Sequence, residues 1–250
     1  MSGGEPQAAD RSGPPGIRQV DGLRLLVAGA TGELGGAVAA AAADRGARVV
    51  PAGRDPDRLA AAARRAGAPG TLRFDAYDLD GCASLAPRAA DLLGGLDAVL
   101  TAFGVVAFGR ADETSPEVEE HLMAVNGLAP VAVLRGALRV VGPGGAIGAV
   151  TGIVVERPLA TTAAYRASKT ALAGWLDTVR LELRPRHVGV LDVRPPHLDT
   201  GFAARAVAGR APRLPAGADP RPWAEAVVDG LADGTALLRP GPSGEPRCGP

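Results

Sequence analysis

The chain is short of lysine and asparagine to the point of having one of each. Lys169 and Asn126 stand alone among 250 residues although Lys and Arg together number 27, so arginine carries the basic surface charge. Residue types confined to single positions are poor candidates for solvated ornament. An excess of charge of either sign is also missing: 27 basic residues face 27 acidic ones and no basic stripe stands out, which argues against nucleic acid as a partner. Cysteine is scarce, and Cys82 and Cys248 fit no metal or redox spacing, so neither a metal site nor a disulfide is expected and a reducing cytoplasm suits the chain. No apolar run is long enough to span a membrane. The first twenty residues, rich in Gly, Pro, Ser and Ala, lack the apolar core of a signal peptide; 1–20 read as a disordered extension and 241–250 as a flexible tail.

What is present is a repeating alternation. Leu23 to Ala28 is a short apolar run ending in Gly29, and Val38 to Arg45 is an alanine-rich helical stretch closed by Gly46. Strand signals recur at 48–52, 71–75, 97–102, 146–150, 188–193 and 236–238. Helical signals fall at 56–66, 83–93, 116–125, 130–141, 163–183 and 221–232. This order predicts an α/β fold over residues 21–240, a single doubly wound, Rossmann-type parallel sheet with helices on both faces. Residues 204–219 are irregular and stand where a substrate lid would sit.

Ala28-Gly29-Ala30-Thr31-Gly32-Glu33-Leu34-Gly35 follows the first strand and opens the first helix, the context that a dinucleotide turn requires. Glycines there let backbone amides approach a pyrophosphate, and the helix N-terminus adds free N–H groups and a favourable dipole. Gly29, Thr31, Gly32, Glu33, Leu34 and Gly35 are the candidate contacts, with the Glu33 carboxylate turned to solvent. At the end of the second strand an acidic residue would hold the adenosine ribose of NAD. Gly53 and Arg54 stand there instead, and a guanidinium pairs with a 2′-phosphate, so NADP(H) is the expected cofactor. Asp75 or Asp78, near the third strand end, is placed to reach the adenine amino group.

Tyr165, Ser168 and Lys169 form a Y-x-x-S-K segment. Tyrosine and lysine four apart on a helix share a face, so an ammonium can sit beside the phenol and stabilise its anion. A free phenol titrates near ~10, and bringing it to neutral pH takes roughly 4 kcal/mol.

With these stations in order, the chain resembles the short-chain dehydrogenase/reductase family over residues 23–240. The glycine turn, Thr101-Ala102-Phe103-Gly104, Val125-Asn126, Tyr165 with Lys169, and Arg194-Pro195-Pro196 leading to Thr200 keep the family's order. The resemblance implies that Tyr165 moves the proton at the carbinol oxygen, Lys169 holds the nicotinamide ribose and tunes the tyrosine, and Asn126 orders a relay water. Gly104, Pro195 and Thr200 would join Tyr165 and Lys169 as cofactor contacts. The implied activity is an NADP(H)-dependent carbonyl reductase or alcohol dehydrogenase acting on a hydrophobic small molecule. The alternative is a non-redox protein on this fold, a dinucleotide-sensing regulator or a cyclase or dehydratase. The family's serine, thirteen residues before Tyr165, falls on Gly152, so either the adjacent Thr151 supplies the hydroxyl, with the strand end shifted by one residue, or one carbonyl-orienting hydrogen bond is missing. Pro196 replaces a glycine, and the strand-four segment keeps only its final glycine. Val105, Val106, Phe108, Val154, Val155, Leu198 and Phe202 would line an apolar pocket, with Glu156 and His197 as polar neighbours. Apolar surfaces on 130–141 and 163–183, Trp175 included, predict a homodimer or homotetramer.

Overall fold

The computed structural model describes residues 19–249, so the expected extension over 1–20 lies almost wholly outside the described residues. Eight strands form one sheet: β1 (Arg24–Ala28), β2 (Arg48–Gly53), β3 (Leu72–Arg73), β4 (Leu96–Thr101), β5 (Val141–Val150), β6 (Gly189–Val193), β7 (Leu237–Pro240) and β8 (Pro246–Cys248). Their spatial order is β3-β2-β1-β4-β5-β6-β7-β8. Every pairing is parallel except β7 with β8. The order reverses between β1 and β4, and that crevice is where doubly wound sheets bind ligands.

The helices are α1 (Glu33–Asp44), α2 (Pro56–Ala66), α3 (Leu79–Leu93), α4 (Pro116–Met123), α5 (Ala129–Ala137), α6 (Ala163–Leu183) and α7 (Pro220–Asp233). Both sheet faces are covered because both are apolar. Along β1, Leu25 and Val27 pack with Val38 of α1 and Trp223 of α7, while Leu26 and Ala28 pack with Leu85 of α3, Val133 of α5 and Leu172 of α6. Period-two alternation with apolar residues on both sides leaves no face for water.

Two features depart from the expected pattern. The separate helices expected at 116–125 and 130–141 are one continuous path, with α4 and α5 joined through a π-helical turn, Ala124–Leu128. Pro130 suggests a break in the sequence; in the structure it directly follows the π-helical turn as the second residue of α5, and the helical path runs on through it. The segment 241–250, read as a flexible tail, instead contains β8. Trp223 is wholly buried and its indole donates to the Gly244 carbonyl at 3.0 Å, and Glu245 accepts from the Ser243 amide and from Arg247. Its Gly and Pro content hides a strand that these contacts hold in place.

Candidate active site

Every residue singled out from the sequence for cofactor or chemistry lies past the C-terminal end of a strand or on α6 and the π-turn that face those ends. At the β1 turn the glycines divide their duties. A Cβ on Gly29 would lie 2.7 Å from the Ala102 and Phe103 backbone, and one on Gly35 would lie 2.3 Å from the Gly29 carbonyl oxygen, so both permit the turn to pack against the end of β4. Gly32 meets only the Gly29 carbonyl at 3.3 Å, and as N-cap of α1 it offers no side-chain cap. The first-turn amides of α1 are left for an anion. Leu34 packs on the core and offers only its backbone, and the Glu33 carboxylate is exposed as expected. The turn fits a pyrophosphate.

Thr31 packs on Gly53: a Cβ there would lie 2.5 Å from the threonine methyl. The β1 turn and the end of β2 thus form one surface, bordered by Arg54, which is exposed and has no ion-pair partner among the described residues. Arg58, one helical turn on, approaches Glu33 at 3.9 Å and adds a second guanidinium to this corner. Its spacing of four from Arg54 at the start of α2 is the signal that identifies it. Of the two aspartates near β3, Asp78 is engaged as the N-cap of α3, accepting from the Gly81 amide at 2.9 Å. Among the described residues the Asp75 carboxylate accepts only from the Tyr77 amide, through Oδ1. Phe103 packs edge-on against Phe74 with centroids 5.0 Å apart, closing the crevice beside Asp75.

Asn126 lies in the π-helical turn, completely buried. Its Oδ1 accepts from the Val105 amide at 2.9 Å, and its Nδ2 donates to the Val105 carbonyl at 2.9 Å and to Ser168 Oγ at 3.0 Å. Such single-turn π segments collect at functional sites. Lys169, on α6, is also buried, and its Nζ donates to the Val150 carbonyl at 2.9 Å. A Cβ on Gly104 would lie 2.7 Å from Asn126 Oδ1 and 3.1 Å from Lys169 Nζ, so this glycine lets both polar groups converge under the loop. Tyr165 is half-buried, its ring 6.5 Å from that of Phe202, and its hydroxyl has no hydrogen-bond partner among the described residues.

Electrostatics differ from the expected arrangement. Burial pushes the Tyr165 phenol up, with no compensation from Lys169. Burial pushes the Lys169 ammonium down to about 8, opposed by the carboxylate of Asp192. The lysine is drawn to the Val150 carbonyl and the phenol lies against Phe202, so the two do not pair.

Thr151, the candidate for the serine's role, is completely buried and turns its hydroxyl to Asp192, to which Oγ1 donates. Gly152 occupies the serine's place with φ +89°, and a Cβ there would meet nothing closer than 3.9 Å. Glu156, considered as a substrate contact, instead accepts from Arg194 at 2.6 Å and Arg239 at 2.9 Å. Among the pocket residues, Val106, Phe108 and Leu198 are buried, whereas Val105, Val154, Val155 and Phe202 are half-buried. Pro195 is buried with its carbonyl accepting from the Ile153 amide, and Thr200 is half-buried in the following bend. The 204–219 segment folds back over the β4 loop, where the Phe108 and Val207 amides donate to the Ala208 and Val106 carbonyls. Sequence reasoning missed Asp192, whose signal is a lone acid inside an apolar buried strand.

No group of three metal-binding side chains is present among the described residues, and no helix there is long and apolar enough to cross a membrane. Residues 24–211 match the family model described as short chain dehydrogenase. The chain is 30% identical over 212 residues to a 3beta-hydroxysteroid dehydrogenase of Mediterraneibacter gnavus, spanning 80% of this chain and 76% of that protein. It is 29% identical over 195 residues to dehydrogenase/reductase SDR family member 7B of Bos taurus, across 73% of this chain and only 60% of the bovine protein. A dehydrogenase/reductase from Sinorhizobium meliloti superimposes with a TM-score of 0.76 at 26% identity, covering 86% of this chain and 90% of that one. A short chain dehydrogenase from Burkholderia cenocepacia, in complex with NADP, shares the fold with the same TM-score at 24% identity, covering 86% and 92%. With the family model spanning most of its length and the glycine turn, Asn126, Tyr165 and Lys169 at the matching strand ends, the chain belongs to the short-chain dehydrogenase/reductase family.

Proposed function

We propose that this protein is an NADP(H)-dependent reductase of a hydrophobic carbonyl compound. The observation that carries the reading is the phenol of Tyr165, without a hydrogen-bond partner among the described residues, on the helix that brings the buried Lys169 and Asn126 together under Gly104. Burial keeps the phenol protonated at neutral pH, the state in which it donates a hydrogen bond to a carbonyl oxygen. When bound, NADP(H) supplies the hydride. Gly32 and the first-turn amides of α1 would hold its pyrophosphate, Arg54 and Arg58 its 2′-phosphate, Asp75 its adenine, and Lys169 the nicotinamide ribose. The Burkholderia cenocepacia protein supports the fold alone at its level of identity, so cofactor choice rests on Arg54.

Without a hydroxyl at Gly152, the substrate oxygen receives its hydrogen bond from Tyr165 and lacks a second donor there. That omission costs about 1 kcal/mol or somewhat more in a dry site. Open space at Gly152, together with Phe202 and the half-buried Val105, Val154 and Val155, supports a bulky apolar substrate. The Mediterraneibacter gnavus relative carries a hydroxysteroid in its name, and sterol-like ketones therefore belong in the first panel.

A second reading, a non-redox use of the same bound dinucleotide, is favoured by the commitment of Thr151 to Asp192. One experiment separates the two. Purified protein should consume NADPH with a member of a panel of hydrophobic aldehydes and ketones. Tyr165→Phe should abolish that turnover while keeping the fluorescence shift of bound NADPH. A silent panel, or near-normal rates in Tyr165→Phe, defeats the reductase reading; product formed without nicotinamide turnover establishes the other.

A further inference from the structure

Asp192 is the one completely buried carboxylate among the described residues, and the chemistry proposed above does not use it. It sits on β6 opposite Ala149 of β5, one residue before the level at which Val150 accepts the hydrogen bond from Lys169. It shares with Val190 the sheet face that Leu172 and Leu176 of α6 cover, which places the carboxylate below the lysine's helix. Its Oδ1 accepts from Thr151 Oγ1, and its Oδ2 accepts from Arg194 Nε at 2.7 Å with Nη2 at 2.6 Å. A carboxylate removed from water needs such donors to stay ionised.

The charges around this point come from several elements. β6 presents Asp192 to Lys169, while β5 presents only the Val150 carbonyl and the π-turn only the Asn126 carboxamide. Tyr165 lies on the lysine's own helix. Burial pushes the Asp192 carboxyl up from its ordinary value, opposed by the hydrogen bond from Thr151 and by Arg194, while Asp177 of α6 acts in the same sense as burial. Arg194 divides its charge between Asp192 and Glu156, and Glu156 is shared with Arg239. Two acids, Asp192 and Glu156, thus serve three bases, and of the two it is Asp192 whose charge acts on Lys169.

We propose that Asp192 is a positioning residue for Lys169, its carboxylate fixed by Thr151 and Arg194 so that the buried ammonium stays charged. The proposal rests on Lys169 serving the nicotinamide site. It also accounts for Thr151, whose hydroxyl is taken up inside the fold where the family's pattern would aim one at the substrate. Burial alone drives the ammonium toward neutrality, and Asp192 acts in the opposite sense.

Lys169 is the sole lysine, so protein carrying 15N at lysine Nζ gives one side-chain amine resonance, which can be titrated without cofactor or turnover. The wild-type midpoint is expected near pH 8. Asp192→Asn should lower it by about one pH unit, the scale of a near charge at a partly screened site, and Asp192→Glu should restore most of the loss. Should the stranded guanidinium unfold Asp192→Asn, the double variant Asp192→Asn with Arg194→Gln removes that charge too, and because the repulsion of Arg194 on the ammonium goes with it a smaller fall in the same direction is expected. An unmoved midpoint in the folded variants overturns the proposal. In parallel NADPH titrations the alkaline limb of affinity should move down by the same interval. A shifted lysine with an unshifted limb would overturn Lys169's place in the cofactor site, whereas a protein that never turns over NADPH leaves the lysine measurement fully decisive.

Discussion

Asn126 Nδ2 donates to Ser168 Oγ across 3.0 Å, tying the π-helical turn to the helix that carries Tyr165 and Lys169. Ser168 Oγ in turn donates to the Tyr165 carbonyl at 2.8 Å. Asn126 therefore holds three elements at once: the β4 loop through Val105, the π-turn through its own backbone, and α6 through Ser168. Replacing it with alanine strands the Val105 amide and carbonyl. Asn126→Ala should cost roughly 2–3 kcal/mol, a fall in Tm on the order of 5–10 °C, whereas Ser168→Ala should cost about 1 kcal/mol. Thermal melts followed by circular dichroism check this; an Asn126→Ala protein melting within about 2 °C of wild type would show that packing, not the carboxamide, sets the turn.

Arg54 is predicted to choose the cofactor. It is exposed and has no ion-pair partner among the described residues, so its removal strands none of them and leaves the fold intact. Arg54→Ala should weaken NADPH binding by about 1.5–3 kcal/mol, roughly ten- to hundredfold in Kd, with NADH nearly unaffected. Arg58 remains beside the site and sets the residual preference, so Arg54→Ala with Arg58→Ala should abolish it. Equal losses for both cofactors in fluorescence titrations would remove the assignment.

The strand order, the glycine turn and the Tyr165–Lys169 helix were legible because each depends on local pattern: short apolar runs, helix periodicity, and a fixed spacing of four. The π-turn was not, since Pro130 mimics a helix boundary and nothing local reveals that the turn before it widens. The direction of Thr151 was equally hidden. A strand residue's face is set by the register of its neighbours, and Thr151 shares the α6-side face with Asp192, on a strand 41 residues away in sequence. The pairing of Lys169 with Tyr165 failed for a related reason: helical spacing puts two side chains on one face, but the Val150 carbonyl and Asp192, both supplied by distant strands, decide where the ammonium goes.

Assembly is predicted through α6, by a narrower surface than its sequence suggests. Trp175 packs against its own core, and the outward stripe is Ala167, Ala171, Gly174, Thr178 and Leu181, with Leu181 71% exposed. Small residues on that stripe allow two helices to approach closely about a two-fold axis. Light scattering at micromolar concentration should report a homodimer or homotetramer, and Ala171→Arg should yield a monomer of unchanged secondary structure. A wild-type monomer under those conditions would exclude this assembly.

Lys169 should make the apo protein less stable than it could be. Its ammonium is buried and pushed down to about 8, against an ordinary value near ~10.4 in the unfolded chain. Below pH 8 both states carry the proton, and the folded state bears the full cost of burying the charge. Between pH 8 and ~10.4 the folded state has released a proton that the unfolded state still holds, so this cost is relieved as pH rises. Lys169→Met, which fills similar volume without charge, should therefore stabilise the apo protein near pH 7 by on the order of 1–3 kcal/mol while destroying cofactor binding. The advantage over wild type should shrink steadily from pH 8 to pH ~10.4 in paired urea unfolding curves. An advantage independent of pH would mean that the lysine titrates alike in both states, and a destabilised variant at pH 7 would mean that its bond to Val150 and its attraction to Asp192 outweigh the desolvation.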